Sequence, residues 1–448
     1  MRRVGAAAAL VLALGLAGAA SAEVVAPGIA DGMLALGPGG RPYVAYVHGT
    51  TLEVATRAAP GRWRRSTAAS VSNGSTLVAF AVGRAGPVAL VQGADARTLA
   101  LVRRAVPGWR MTQLAGSLPY GVTLGWPGLA LDRYGLPAIA YTRWRHLTEK
   151  STLYLARVDA RGRVRSSRLT ALGFPKSFVA PPATPVVIGG AVHVIESYGV
   201  DGAVGTIEWY PHRRTWVGQF LDGGVGDYPV GPLLAALDPR GKVYAAWSEA
   251  LLGTGEVPVT VAVHGSSIRS DFVLDRALTT GLVASASGPE VAANEWRSAS
   301  DLGLSGDAQL FAGDVVGHGR RVELDGWLAG LAKAPKGARD LLLTGVSGLS
   351  WFRSPRPLTI RPSVSASSAA TGGVLVSGRV RGATRGKVTI YRERPGSSRT
   401  LAGTAVLTAD GTFAFTDRPT ARPLLYRAVY VDPATSIPYA ALLRDPVR

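Results

Sequence analysis

Apolar and polar positions alternate along short segments of this chain, and the alternation returns in a recurring unit. The unit is a strand, a turn containing glycine, and a second strand of small and β-branched residues. Three clear copies occupy 34–48, 129–143 and 235–249, and weaker copies start at Phe80, Val186, Val283 and Leu331. Their turns begin 46 to 57 residues apart. Such a period predicts seven structural repeats.

Third and fourth strand candidates follow the clear copies, as TLEVATRAA (51–59) and GRWRRSTAA (61–69) do in the first repeat. Four short antiparallel strands per repeat are typical of one β-propeller blade, because radially stacked sheets bury each other's faces. We therefore predict an all-β fold with a seven-bladed β-propeller over residues 23–357. Six blades with an irregular closing unit is the alternative. The seventh repeat is short, and residues 23–30 are available to complete it.

These repeats resemble those of secreted bacterial β-propellers, the group that includes sialidase-like and adhesin-like proteins. They lack the Ser-x-Asp-x-Gly-x-x-Trp box of sialidase repeats. The resemblance therefore implies an architecture and no activity. Within the repeats, Asp132 and Asp238 each precede a glycine by three residues, which predicts turn-capping carboxylates. Trp63, Trp109 and Trp216 recur late in their repeats and are predicted to pack between blades.

The spacing of the strands changes after a proline-bearing linker at 358–362. Residues 363–448 hold about six short alternating strands, which predicts a small β-sandwich. The dipeptide Asp410-Gly411 between two of them predicts a hairpin. The stretches ADGTFAF and LLYRAVY resemble immunoglobulin-like modules of exported bacterial proteins, which implies a spacer or an attachment module.

The first 22 residues are typical of a secretory signal, with Arg2 and Arg3 before an apolar stretch too short to span a bilayer. Small residues Ala20, Ser21 and Ala22 predict cleavage near Ala22, so the mature chain begins near Glu23. A retained N-terminal anchor and a twin-arginine signal are alternatives. We expect a secreted protein, extracellular or in the cell envelope, with no transmembrane segment in the mature chain. The chain has no cysteine, so no disulfide stabilises it.

The formal net charge is +19, carried by 49 Lys and Arg against 30 Asp and Glu. Removing the signal would leave +17. This charge favours anionic envelope polymers or acidic glycans as partners. No basic helix or recognisable nucleic-acid motif accompanies it, so we expect no nucleic acid partner.

Motifs for known chemistry are missing. The six histidines form no local metal-binding pattern, and the chain has no Gly-x-Ser-x-Gly elbow, P-loop or Rossmann fingerprint. We expect no cofactor, no metal site and no assignable catalytic residue. Structural Ca²⁺ bound by loop carbonyls stays open, because such sites leave little trace in sequence.

The ends of the second strands carry the candidate site. In a propeller these ends lie on one face, together with the loops that enter the next blade, and several of the loops here are long and polar. Loops at such positions often carry function. The candidate ligand-binding residues are Arg143, Arg145, His146, Glu196, Tyr198, Glu249, Glu295 and Trp296.

Three interpretations of these residues stay open. They are a solvated rim, a site for a polar ligand, or paired carboxylates that hydrolyse a glycoside. The sequence favours a secreted, non-enzymatic recognition or scaffold protein that binds a glycan, a peptide or an envelope partner. The alternative is an extracellular carbohydrate-active hydrolase or lyase with a propeller catalytic domain, since propellers host many functions. A purely structural envelope component is a third possibility.

Overall fold

The computed structural model describes most of residues 22–443. It leaves out 106, 170–178, 201–202, 213–214, 224–227, 251–258, 264–265, 273–276, 296–306, 313–319, 346–347, 356–357, 370–372, 394–398 and 420–424, and it describes only the backbone of several strand residues between 198 and 321. The predicted signal segment lies almost wholly outside the described residues. In the described part the fold is all-β, as predicted, with two short 3₁₀ turns at Pro38–Gly40 and Pro335–Gly337.

Seven successive sheets account for the described residues between 23 and 354. The first is β2 (Met33–Leu36), β3 (Pro42–His48), β4 (Thr51–Ala59) and β5 (Arg62–Ser70). The second is β6 (Thr76–Gly83), β7 (Gly86–Gln92), β8 (Leu99–Arg104) and β9 (Trp109–Ala115). The third is β10 (Val122–Leu124), β11 (Gly128–Leu131), β12 (Pro137–Arg145), β13 (Lys150–Val158) and β14 (Val164–Arg168). Every pairing within them is antiparallel.

The remaining four sheets repeat this order. The fourth is β15 (Ala183–Ile188), β16 (Ala191–Val200), β17 (Ala203–His212) and β18 (Thr215–Gly223). The fifth is β19 (Tyr228–Leu237), β20 (Val243–Ala250), β21 (Val259–Val263) and β22 (Ser266–Phe272). The sixth is β23 (Ala277–Ser285), β24 (Gly288–Glu295), β25 (Asp307–Ala312) and β26 (Arg320–Leu324). The seventh is β27 (Trp327–Lys333), β28 (Arg339–Gly345) and β29 (Gly348–Ser354), with β1 (Glu23–Pro27) as its fourth strand.

The first strands of the sheets lie side by side around an axis. Each contacts the corresponding strand of the next sheet, with β11 in this place in the third sheet, and β27 of the seventh sheet contacts β2 of the first. Apolar clusters fill the junctions between neighbouring sheets, as Leu52 and Val54 do with Leu77 and Val91. The alternation seen in the sequence therefore places one apolar face of each sheet against its neighbour. This sheet order is that of a β-propeller.

Strand β1 closes the ring, as the short seventh repeat predicted. It pairs antiparallel with β29, from Glu23 opposite Trp351 to Pro27 opposite Gly348. The buried Glu23 carboxylate accepts hydrogen bonds from the Arg57 guanidinium at 2.6 and 2.9 Å and from the indole of Trp63 at 3.1 Å. Arg57 also lies 4.6 Å from the ring centre of Trp351. These contacts tie the closing strand to the first sheet.

The predicted turn and packing residues take their expected places. Asp132 Oδ1 accepts from the backbone N–H groups of residues 134 and 136, and Asp238 Oδ1 does the same with residues 240 and 242. Gly135 and Gly241 follow with φ of 78° and 81°, which favours glycine. Trp63 meets Trp351 edge to face, and Trp109 packs between the first and second sheets. The side chain of Trp216 lies outside the described residues.

A polar side chain near the end of the second strand joins neighbouring sheets at four places. We call these side chains latches. They bond the backbone at or just before the first strand of the next sheet: Thr142 to Pro181 O (2.5 Å), Ser248 to Thr279 N (2.9 Å), Asn294 to Leu328 N and O (2.8 and 2.9 Å), and Thr344 to Ala30 O (2.7 Å). All four latch residues are buried. They give hydrogen-bond partners to backbone groups near the start of the first strand of the next sheet.

We expect Thr344→Val to lower the free energy of unfolding by about 1–2 kcal/mol, because valine keeps the shape but leaves the Ala30 carbonyl without its donor. Urea unfolding followed by fluorescence measures the change. Thr67→Val is the matched control, since Thr67 is exposed on β5. An equal loss in the two variants would contradict a role for the latch.

The C-terminal residues form two packed sheets. One is β30 (Arg361–Ser368), β31 (Val374–Arg381) and β34 (Thr412–Asp417). The other holds β32 (Lys387–Glu393), β33 (Thr400–Val406), β35 (Leu425–Val431) and β36 (Pro438–Leu442), and β36 joins it to β26 of the sixth sheet as one eight-stranded sheet. The described residues here form seven strands, where about six were predicted. Strand β30 begins inside the segment predicted as a linker at 358–362; the domain limits themselves stay predictions.

The hairpin predicted at Asp410-Gly411 is wrong. A tight turn does form there, with Gly411 at φ 81° and its N–H bonded to Thr408 O. However, the strands on either side belong to different sheets, since β33 pairs with β32 and β34 with β31. The turn residues fix the local bend, whereas the core between the two sheets selects the partner strands.

The C-terminal sheets dock on the sixth sheet of the ring. Tyr439 of β36 pairs with Leu324 of β26, and the N–H of Asp325 donates to Pro438 O at 3.0 Å. The Asp325 carboxylate accepts from Arg399 at 2.5 Å and lies 3.4 Å from Arg427. The apolar residues of the C-terminal sheets belong to one core cluster with residues of the sixth and seventh sheets.

Candidate functional site

The second strands of the seven sheets end on one face of the ring, where the chain also enters each first strand. We call this the upper face. The antiparallel register sets this geometry: the end of β16, for example, lies opposite the start of β15, with Glu196 facing Ala183. Residues at these ends therefore lie close to the axis around which the first strands pack.

Glu196 lies buried between the third and fourth sheets. Its residue is 3% exposed, and Oε2 accepts a hydrogen bond from the indole of Trp209 at 3.1 Å. Trp209 belongs to the apolar cluster that these two sheets share. Burial raises the pKa of Glu196 to about 7, and the indole hydrogen bond only partly opposes this. The carboxyl group is therefore able to hold or give up a proton near neutral pH.

Glu249 occupies a comparable place one sheet further on. It is fully buried, and Oε1 accepts from the indole of Trp247 at 2.6 Å. Trp247 packs in the cluster between the fourth and fifth sheets. A solvated rim is therefore wrong for Glu196 and Glu249: the neighbouring sheet covers both, whereas a rim would leave them in water. Their burial agrees with either of the other two interpretations.

The three basic candidates lie on the third sheet. The guanidinium of Arg143 is half-buried, 4.7 Å from the ring centre of Tyr154. Arg145 and His146 are exposed; the His146 ring lies 4.3 Å from that of Trp144, and its Nε2 is 3.1 Å from Thr123 Oγ1. None of the three hydrogen-bonds Glu196 in the described structure.

The other candidates are only partly described. The backbones of Tyr198 and Glu295 lie in β16 and at the end of β24, but their side chains fall outside the described residues. Trp296 falls outside them altogether. Ligand binding by the eight predicted residues therefore stays a prediction.

Sequence reasoning missed one carboxylate on this face. Asp31 lies between the closing strand β1 and the first strand β2, next to the carbonyl that Thr344 binds. Its residue is exposed, yet the surrounding protein raises its pKa, opposed by a hydrogen bond from the N–H of Gly32. In the sequence, only its position just before the first strand of the first sheet pointed to it.

The described residues offer no metal centre. No group of three or more His, Asp or Glu side chains among them is arranged to hold an ion. The buried pair of His193 Nδ1 and Glu208 Oε1, at 2.6 Å, is a hydrogen bond within the fourth sheet. Nor does the described part of the chain contain a helix long and apolar enough to cross a membrane.

No family model matches the chain, and no curated protein matches it. Among solved structures it is similar to an exo-β-1,3-galactanase from Phanerochaete chrysosporium, at 10% identity over 94% of this chain and 99% of that one, with a TM-score of 0.41. It is also similar to an α-L-arabinanase from Penicillium chrysogenum (11% identity, 62% and 92% covered, TM-score 0.38). A third is the α-L-arabinofuranosidase of Fusarium graminearum (8% identity, 75% and 97% covered, TM-score 0.38).

These comparisons correct the order of the two functional hypotheses. The similar structures named above are carbohydrate-active hydrolases, so they contradict the prediction of a non-enzymatic recognition or scaffold protein. At such identities and TM-scores the similarity transfers no substrate and no residue role. Both must come from this chain's own side chains.

Proposed function

We propose that the chain is an extracellular hydrolase of polysaccharides in which Glu196 is the proton donor. The observation that carries the proposal is the presence on the upper face of two carboxyl groups in contrasting environments: Glu196, buried against an indole between two sheets, and Asp31, exposed where the chain enters the first sheet. Glycoside hydrolysis needs one carboxylic acid to protonate the leaving oxygen and one carboxylate to act as base or nucleophile. Contrasting environments separate these roles.

The roles follow from the two environments. Burial holds the proton on Glu196 up to about pH 7, so at neutral pH a large fraction of the molecules carries the acid. Asp31 reaches solvent and can meet a water molecule or a sugar carbon. We assign Asp31 as the base or nucleophile. The hydrogen bond from Trp209 orients the Glu196 carboxyl group.

The scaffold in this proposal is a seven-bladed propeller with an immunoglobulin-like spacer. Seven blades are supported by the seven sheets and by the contact of β27 with β2. The spacer is supported by the two packed C-terminal sheets. Secretion with cleavage near Ala22 is supported by the start of β1 at Glu23, the first residue after that site. The polysaccharide is the partner.

The test is turnover of a panel of plant, fungal and bacterial polysaccharides by residues 23–448, measured as new reducing ends. Cleavage of one polysaccharide class, with loss of at least 100-fold in kcat for Asp31→Asn, supports the proposal. Asp159→Asn is the matched control, because Asp159 caps an exposed turn far from the axis. Turnover that survives Asp31→Asn, or no turnover of any polysaccharide, contradicts it. A parallel assay with EDTA checks the prediction that no cofactor is needed.

A further inference from the structure

The third sheet carries a projection on the upper face, which we call the flap (residues 118–124 and 143–152). The short strand β10 pairs with the end of β12, Val122 opposite Arg145, and β13 pairs with its other side, Lys150 opposite Arg145. No other sheet of the ring shows such a fifth strand in its described residues. Tyr120 and Leu147, at its tip, are 96% and 97% exposed.

One face of the flap gathers three positive charges. Arg143 and Arg145 are two residues apart on β12, so they share a face, and Lys150 lies directly opposite Arg145. Like charges directly opposite on adjacent strands destabilise a sheet. In the described structure none of the three forms an ion pair, and the buried Nε of Arg143 has no hydrogen-bond acceptor. The fold therefore holds three cations together, and Glu149, the carboxylate within the flap, forms no ion pair with any of them in the described structure.

Ring contacts hold Arg143 in position. The Arg143 guanidinium lies 4.7 Å from the ring centre of Tyr154 and 5.9 Å from that of Tyr141, and those two rings stack at 5.4 Å. Tyr141 packs in the cluster between the second and third sheets, so this face looks toward the second sheet. Beside the second sheet, the Asp95 carboxylate accepts a hydrogen bond from the backbone N–H of Arg97 at 3.0 Å.

The other face of the flap is aromatic and looks toward Glu196. Thr142, Trp144 and His146 alternate on it, and the rings of the last two lie 4.3 Å apart. Thr142 bonds the Pro181 carbonyl, just before the first strand of the fourth sheet. A chain of sugars that crosses the flap tip would therefore pass from the cations to the junction that holds Glu196.

We propose that the flap binds an acidic polysaccharide, with sugar carboxylates between Arg143, Arg145 and Lys150 and a sugar ring against Tyr120. Carboxylate matches the planar guanidinium and relieves the repulsion between opposed cations. Exposed aromatic side chains offer apolar faces to sugar rings. The inference deepens the proposed function and rests on it for the placement of the cleaved bond beside Glu196; the binding itself does not depend on turnover.

The test measures the affinity of residues 23–448 for polygalacturonate and for its carboxyl-reduced, neutral form, by isothermal titration calorimetry at 0.15 M salt. We expect binding to the acidic polymer only, weakened about tenfold by the double variant Arg145→Gln/Lys150→Gln and severalfold by Tyr120→Ala. Arg165→Gln is the control, because Arg165 is exposed on β14 of the same sheet. The double variant should melt no lower than the wild type, since it removes a repulsion.

The outcomes separate this inference from the proposed function. Binding to polygalacturonate without its cleavage supports the flap site and counts against polygalacturonate as the hydrolysed substrate. Equal binding to the neutral polymer overturns the inference, as does an affinity that the double variant leaves unchanged. An equal loss in Arg165→Gln also overturns it, because the total positive charge would then account for the attraction.

Discussion

Glu196→Gln should lower kcat by between about 100-fold and 10,000-fold and remove the fall in activity on the alkaline side of the pH profile. The proposed proton donor works only while protonated. Because burial places its pKa at about 7, the wild-type rate should fall about tenfold per pH unit above neutrality. A separate fall at acid pH should follow the protonation of Asp31. Glutamine keeps the size of the side chain and an acceptor for the Trp209 indole, but it has no proton to give.

The pH profile of kcat for wild type, Glu196→Gln and Glu53→Gln distinguishes chemistry from folding. Glu53 is a half-buried carboxylate of the first sheet that accepts one hydrogen bond, from the Tyr46 hydroxyl at 2.6 Å. Its variant should keep both the rate and the alkaline fall. An alkaline fall that persists in Glu196→Gln would show that another group titrates there, and the assignment of the proton donor would then be wrong.

Arg339→Met should lower the free energy of unfolding by about 3–5 kcal/mol. Arg339 at the start of β28 and Glu290 on β24 are both buried, and both Nε and an Nη of the guanidinium donate to the two carboxylate oxygens. The pair crosses the junction between the sixth and seventh sheets. Methionine fills similar space but leaves the buried carboxylate without its counter-charge.

Urea unfolding measures this loss against a matched exposed pair. Arg163 and Asp159 also bond, at 2.9 Å, but the Arg163 side chain is 64% exposed and solvent screens the pair, so Arg163→Met should cost far less than Arg339→Met. The double variant Arg339→Met/Glu290→Leu should recover much of the lost stability, because it removes the orphaned charge too. If Arg339→Met costs no more than Arg163→Met, burial does not govern the strength of this pair.

The sequence predicted those parts of the fold that depend on local pattern. Alternating strands and glycine turns give the seven repeats, and the carboxylates of Asp132 and Asp238 cap the turns as their spacing indicated. The short last repeat pointed to the closing strand. These features need only neighbours along the chain, or the count of strands per repeat, and both are visible in the sequence.

Features that depend on a neighbouring sheet were missed or misjudged. From the sequence alone, a glutamate at the end of a strand is expected to be in contact with water, yet the third and fourth sheets cover Glu196. The turn at Asp410-Gly411 forms, but the choice of partner strands belongs to the packed core. The latches are single polar residues in apolar strands, and nothing in the sequence says that Asn294 meets Leu328. Side-chain depth at these positions is a property of the assembled ring.

The closing strand also sets when the ring can be complete. Thr344 reaches the Ala30 carbonyl across 314 residues, and β1 has no partner until β29 has been synthesised. The entropic cost of so long a loop grows only with the logarithm of its length. Timing is the greater hazard, because the edge of β29 and the free strand β1 are both open to pairing with other chains until they meet. A chain of this design therefore benefits when both of its ends are present in the same place before it folds.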